Sequence, residues 1–109
     1  MDSNVYYVAG PMRHYECFNF EQFFVWSNKL KNMGHRVINP AEIDCERMSA
    51  GWTFSEENYE EVLALDLAII RMVRPYMFFL NGWEDSEGAN REHNLALELG
   101  LNIYYEEEK

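Results

Sequence analysis

Short apolar runs alternate along the chain with segments whose apolar residues recur at helical spacing. Residues 5–8 form a continuous apolar run that stops at Gly10-Pro11, as a buried strand does before a tight turn. Asn19 followed by Gln22 forms a capping-box pattern, and apolar residues then recur every three to four positions until Gly34. This opening predicts a strand followed by a helix.

The rest of the chain continues the alternation. Residues 36–38 predict a second strand, ended by Asn39-Pro40, whereas residues 41–51 are polar and too irregular to assign. Thr53 with Glu56 is another capping box and predicts a helix to about Val73. Beyond it we expect a strand at 76–80, a loop at 81–88, a helix at 89–99 stopped by Gly100, and a strand at 102–105.

The order β-α-β-α-β-α-β is typical of a parallel sheet with right-handed crossovers and helices on both faces. We therefore predict an α/β fold: a single-domain Rossmann/flavodoxin-like three-layer sandwich with a four- to five-stranded parallel sheet. A chain of 109 residues is the size of one domain, and we assign residues 1–109 to it.

Composition narrows the class of ligand and the compartment. The chain has 9 Lys and Arg against 19 Asp and Glu, a formal net charge of −10, which argues against binding polymeric nucleic acid. A small anion remains compatible, because a helix start or one Arg can hold a phosphate. No apolar run approaches the roughly 20 residues that span a bilayer, and residues 1–4 do not resemble a signal peptide. We expect a cytoplasmic protein without a membrane partner.

The two cysteines, Cys17 and Cys45, have no secretory context, so we expect reduced thiols. Together with His14 they match no zinc-ligand spacing. We therefore predict neither a metal site nor a cofactor.

Two carboxylates interrupt the apolar stripes of predicted helices. Asp66 lies within one stripe and Glu92 within another, and a buried carboxylate is costly unless it is paired or used. The pattern alone leaves open whether each belongs to a site, forms a structural ion pair or lies at the edge of its stripe. The stripes consist of Tyr59, Val62, Asp66, Ile69 and Val73, and of Ala89, Glu92, Ala96 and Leu99.

Three segments carry a family resemblance: YVAGPM at residues 7–12, FNF at 18–20 with GHRVINP at 34–40, and LNGWEDSEGANRE at 80–92. Together they resemble the nucleoside 2-deoxyribosyltransferase-like superfamily, in particular a small branch common in phage genomes, which would place the protein in a host cytoplasm. The last segment is similar to the signature of the superfamily, with Ser86, Gly88 and Glu92 at its relative positions 1, 3 and 7.

The resemblance implies cleavage of an N-glycosidic bond. Glu92 would be the nucleophile that attacks C1′ of the sugar, and Tyr7 would hydrogen-bond and orient it. Asp66 would protonate or hold the leaving base, which requires a raised pKa. The chain departs from its relatives at one point. Asp66 lies about one residue further from the third strand, and Pro75 occupies the place where a second acid often starts that strand.

The resemblance also implies a substrate site around the first loop and the start of the last helix. In the nucleotide N-hydrolase branch, counterparts of Ser86 and Arg13 hold the 5′-phosphate; an ordinary helix cap and a surface charge are the alternatives. Transferases instead hold a free 5′-hydroxyl with groups supplied partly by a neighbouring subunit, and we identify no such donor. Phe18, Trp52 and Trp83 are candidates for stacking on a base, or for packing in the core or an interface. The predicted substrate-binding residues are Gly10, Pro11, Met12, Arg13, Ser86 and Gly88.

These inferences predict a hydrolase that cleaves a (deoxy)nucleoside 5′-monophosphate through a covalent glycosyl-glutamate intermediate. The alternatives are a nucleoside 2-deoxyribosyltransferase and a non-catalytic nucleotide-binding or protein-interaction module. The predicted partners are a small-molecule nucleoside or nucleotide and further copies of the chain, as a homodimer or a larger homo-oligomer.

Overall fold

The computed structural model describes residues 4–12, 19–51 and 56–106. Within these ranges the chain forms four strands and four α-helices, with one 3-10 turn at Trp83–Asp85. In chain order the elements are β1 (Val5–Ala9), α1 (Phe20–Asn32), β2 (Arg36–Ile38), α2 (Pro40–Ser49), α3 (Glu56–Val73), β3 (Tyr76–Phe79), α4 (Glu87–Leu99) and β4 (Ile103–Tyr105).

The strands form one parallel sheet in the order β2-β1-β3-β4. Tyr7 of β1 lies beside Ile38 of β2 on one side and beside Met77 of β3 on the other. The chain runs outward from β1 to β2 and then returns to β3 on the opposite side of β1. The carboxyl ends of β1 and β3 therefore meet at a switch point, where α/β folds bind ligands.

Side chains alternate between two apolar cores, one on each face of the sheet. Tyr7, Met77 and Phe79 face one core, which α3 and α4 complete. Val8 and Phe78 face the other, which α1 and α2 complete. These layers confirm the predicted α/β three-layer sandwich of Rossmann/flavodoxin-like type, with four strands, all parallel.

The strict alternation of strands and helices is wrong at one place, because residues 40–49 form helix α2. Asn39 caps this helix by accepting a hydrogen bond from the Ala41 N–H at 3.0 Å, and Pro40 occupies the first turn. Buried residues in α2 are confined to Pro40, Ala41 and Asp44. Because so few residues of α2 are buried, its sequence has no apolar residues recurring at helical spacing.

The predicted capping box at Asn19 is also wrong. Asn19 precedes α1 in a left-handed conformation, and its side chain donates to the Pro11 carbonyl at 3.0 Å instead of capping the helix. Helix α4 begins at Glu87, two residues earlier than expected, because Ser86 caps it. Thr53 lies outside the described residues. No helix in the described ranges is long and apolar enough to cross a membrane.

Candidate functional site

A cavity with room for a few water molecules opens at the carboxyl end of β1, beside the switch point of the sheet. Apolar side chains such as Val8, Phe23 and Val62 form much of its wall. Set among them are five polar side chains, from α2, α3, α4 and the residue that caps α4: Asp44, Tyr59, Asp66, Ser86 and Glu92.

Tyr7 and Glu92 form a buried hydrogen bond in which the Tyr7 hydroxyl donates to Glu92 Oε2 at 2.6 Å. Tyr7 is fully buried in the centre of β1, while Glu92 on α4 is only 6% exposed. Burial, the largest cause, and the charge of Asp66 together raise the pKa of Glu92 to about 8, although the Tyr7 hydrogen bond opposes the shift. Two regular elements far apart in sequence thus hold the predicted nucleophile and its predicted orienting residue together.

Asp66 lines the same cavity from α3. Burial, the largest cause, and the negative charge of Asp44 together raise its pKa to about 7, although the Arg47 charge and the Tyr7 hydroxyl oppose the shift. Asp66 therefore lines the cavity even though it lies about one residue further from β3 than its counterpart in the family that the sequence resembles.

The predicted apolar stripe of α3 needs correction around Asp66. Val73 is 45% exposed, whereas Leu63, Leu67 and Ile70 are buried. The buried face of α3 is thus rotated relative to the predicted stripe, and half-buried Asp66 lies at its border. The α4 stripe agrees better, because Ala89, Glu92 and Ala96 are all buried.

Asp66 and Glu92 form a coupled pair, since each charge disfavours ionisation of the other in a site of low polarity. The raised pKa values mean that the pair retains a proton near neutral pH. One ionised carboxylate beside one protonated carboxyl supplies both a nucleophile and a proton donor.

Asp44 is a third buried carboxylate in the cavity, and sequence reasoning missed it. It is 3% exposed, and its Oδ1 lies 3.9 Å from Arg47 Nη1. Burial raises the pKa of Asp44 to about 6, and the Arg47 charge opposes this shift. A signal existed in Asn39-Pro40, a helix cap followed by proline, after which Ala41 and Asp44 fall on one helix face.

The loop after β1 contributes to the wall of the cavity. Gly10 and Met12 line the cavity, whereas Pro11 is buried and its carbonyl accepts the Asn19 hydrogen bond. A Cβ added at Gly10 would lie 2.8 Å from the Cβ of Leu80. Glycine is therefore required here by the packing of β1 against the residue after β3.

Ser86 and Gly88 line the cavity where α4 begins. The Ser86 hydroxyl accepts a hydrogen bond from the Ala89 N–H at 3.2 Å, so it acts as a helix cap. A Cβ at Gly88 would lie 3.0 Å from the Tyr59 hydroxyl. The close contact with α3 thus explains why a residue without a side chain occupies position 88.

Other candidates lie elsewhere. Trp83 packs on Phe79, with ring centroids 5.2 Å apart, and stacks on His93 at 4.3 Å, so its ring belongs to a cluster outside the cavity lining. Cys45 is an exposed free thiol. No group of three or more His, Cys, Asp or Glu among the described residues has the arrangement of a metal site. Arg13, His14, Cys17, Phe18 and Trp52 lie outside the described residues.

Comparison with known families gives one result. A family model described as a domain of unknown function (DUF4406) matches residues 4–105, a range that includes every strand and helix described above. No curated protein matches the sequence significantly.

Proposed function

The chain belongs to the family described as a domain of unknown function (DUF4406), and from the geometry of its cavity we propose that it hydrolyses the N-glycosidic bond of a (deoxy)nucleoside 5′-monophosphate. The observation that carries the proposal is the buried hydrogen bond from Tyr7 to Glu92, in a cavity that Asp66 also lines. The motif resemblance to nucleoside 2-deoxyribosyltransferase-like proteins supports the assignment of the bond that is cleaved.

In the first step, the Glu92 carboxylate attacks C1′ and forms a glycosyl ester while the C1′–N bond breaks. Asp66 donates its proton to the departing nitrogen, so that the base leaves as a neutral molecule. In the second step, Asp66 accepts a proton from water, the water oxygen bonds to C1′, and the ester bond to Glu92 breaks. Tyr7 holds the Glu92 carboxylate in place and favours its ionised form throughout.

The start of α4 is the proposed phosphate site. Ser86 and Gly88 line the cavity there, and the positive end of a helix attracts an anion. Arg13 is the proposed cationic partner. Hydrogen bonds to a charged group contribute about 1.5–3 kcal/mol each, enough to outweigh the long-range repulsion from a net charge of −10 that salt screens.

We test this function by incubating the purified protein with nucleosides and 5′-monophosphates and measuring free base by chromatography. We expect base release, with 5′-monophosphates cleaved at least about tenfold more efficiently than nucleosides. Ser86→Ala reduces this preference. Glu92→Gln abolishes turnover by about a thousandfold or more, because the covalent route is lost. The matched control is Glu98→Gln, an exposed residue of the same helix, which leaves turnover unchanged.

The outcomes separate the competing functions. A Glu92→Gln variant that keeps more than about a tenth of the wild-type rate contradicts the nucleophile assignment. Equal rates on nucleoside and nucleotide, with transfer of the sugar to an added free base, identify a nucleoside 2-deoxyribosyltransferase. Tight binding without cleavage identifies a non-catalytic module.

A further inference from the structure

Asp44 is a buried carboxylate that the two proposed catalytic steps do not use and that receives no hydrogen bond from another described residue. It is 3% exposed, and Arg47 Nη1 lies 3.9 Å from its Oδ1, beyond hydrogen-bond distance. Its position past the first turn of α2 also keeps it from the free N–H groups at the start of that helix. A carboxylate buried without donors is costly, so a ligand that supplies them would stabilise it.

The face of α2 that carries Asp44 forms part of the cavity wall. Pro40 and Asp44 lie one helical turn apart and both line the cavity. Apolar Met12 and Phe23 line the same cavity. An apolar wall that also carries an acceptor suits a flat heteroaromatic ring, because the faces of the ring pack on the apolar side chains while its edge forms hydrogen bonds.

The sheet order places Asp44 and the proposed phosphate site on opposite sides of β1. Strand β1 lies between β2 and β3, and α2 begins directly after β2, whereas α4 follows β3. The cavity at the carboxyl end of β1 thus has Asp44 on its β2 side and Ser86 on its β3 side. Neighbouring strands are about 4.8 Å apart, so β2 and β3 are separated by about 10 Å. This strand separation is comparable with the length of a nucleotide.

We propose that Asp44 binds the nucleobase of the substrate and selects a base whose edge carries two neighbouring N–H donors, as in guanine. This inference rests on the proposed function, because a phosphate at the start of α4 and C1′ at Glu92 direct the base toward α2. Burial raises the pKa of Asp44 to about 6 against the opposing charge of Arg47, so at pH 7.5 the carboxyl is mostly ionised. An ionised carboxylate only accepts hydrogen bonds, and its two oxygens match two parallel donors.

The donor pattern of the base edge gives the selection. Guanine presents its N1–H and its 2-amino group side by side. Hypoxanthine lacks the amino group, whereas adenine and cytosine place a ring-nitrogen acceptor beside theirs, where it would face a carboxylate oxygen of Asp44. A site that hydrogen-bonds a donor of its substrate rejects an analogue without that donor, since the buried acceptor is then left unpaired.

The first test uses the wild-type protein alone. We measure kcat/KM for base release from the 5′-monophosphates of guanine, hypoxanthine and adenine at pH 7.5. The guanine nucleotide is cleaved at least about tenfold more efficiently than the other two. Guanine and hypoxanthine differ only in the 2-amino group, and their comparison does not depend on the folding of a variant. Equal efficiency for these two nucleotides overturns the inference.

The second test changes the acceptor pattern of the protein. Asp44→Asn is nearly isosteric and replaces one acceptor with a donor, which matches the neighbouring donor and acceptor of adenine. The ratio of guanine to adenine efficiency falls at least about tenfold, while cleavage of the adenine nucleotide is retained or increases. Glu46→Gln, at an exposed position of α2, leaves the ratio unchanged. An Asp44→Asn variant that cleaves all nucleotides less efficiently by the same factor overturns the inference, because Asp44 would then act on the fold or on the catalytic carboxyls.

Binding separates the failure of the inference from the failure of the proposed function. Calorimetry measures the affinity of the intact nucleotides for the Glu92→Gln chain, with and without Asp44→Asn, so that no turnover occurs during the measurement. If the wild-type protein releases no base while the guanine nucleotide binds most tightly and Asp44→Asn removes this preference, the function falls and the role of Asp44 stands. If base is released without a preference that depends on Asp44, the function stands and the role of Asp44 falls. Absence of both release and binding overturns both.

Discussion

Glu92 makes the stability of the protein depend on pH, because burial raises its pKa from 4.5 to about 8. The folded state binds the Glu92 proton more tightly than the unfolded state does. The stabilisation is therefore complete below the unfolded pKa near 4.5 and is lost as pH rises through about 8. Asp66, with its pKa raised to about 7, contributes in the same direction.

We therefore expect the melting temperature of the wild-type protein to fall between pH 5 and pH 9. Glu92→Gln keeps an acceptor for the Tyr7 hydroxyl but carries no charge. It gives a shallower decline and a melting temperature at least about 5 °C above wild type at pH 9. Thermal melts followed by circular dichroism measure both slopes. Glu98→Gln, at an exposed position, retains the wild-type slope, and equal slopes for wild type and Glu92→Gln would contradict the burial argument.

At the scale of elements, strong periodicity made most of the fold predictable. The first strand, the long helix ending at Val73 and the helix stopped by Gly100 could all be predicted, because apolar spacing and end signals coincide there. The same spacing marked Asp66 and Glu92 as unusual carboxylates. Helix α2 could not be recognised, because it is held mainly by its cap and one narrow buried face, and Asp44 was missed with it.

The contact between the ends of β1 and β3 gives a prediction at this scale. Leu80 donates its backbone N–H to the Ala9 carbonyl at 2.8 Å. This hydrogen bond holds Leu80 so close to Gly10 that a Cβ at Gly10 would clash with the Leu80 side chain. Gly10→Ala therefore destabilises the fold by about 2 kcal/mol and disturbs the cavity wall. Urea unfolding and base release measure the two effects.

Gly34→Ala is the comparison for this prediction. Gly34 has open space around its Cα but a φ of +94°, so an alanine there strains only the backbone, at about 1 kcal/mol. Base release remains normal, since Gly34 does not line the cavity. A Gly10→Ala variant with wild-type stability and turnover would show that the two strand ends separate easily.

At the scale of the whole molecule, exposed apolar side chains along α3 favour self-association. Leu65, Met72 and Val73 are 41%, 84% and 45% exposed. We expect at least a homodimer, whose mass by light scattering rises with added salt, because salt screens repulsion between chains of net charge −10. Met72→Lys weakens the dimer, whereas Met33→Lys, at the exposed residue that follows α1, does not. A particle of 13 kDa at micromolar concentration and high salt would refute association.

The position of β1 inside the sheet has a consequence for how the chain acquires its structure. During synthesis β1 leaves the ribosome before the other three strands, yet its partner β3 begins only at Tyr76, and the acceptor for the Tyr7 hydroxyl follows 85 residues after Tyr7. Until then β2 is the strand available to pair with β1. Folding therefore depends on late, non-local pairing, which slows it to milliseconds or longer, in contrast to the microseconds of a small helical bundle. In a nascent chain that stalls before β3, one edge of β1 stays unpaired and can form hydrogen bonds with strands of other chains.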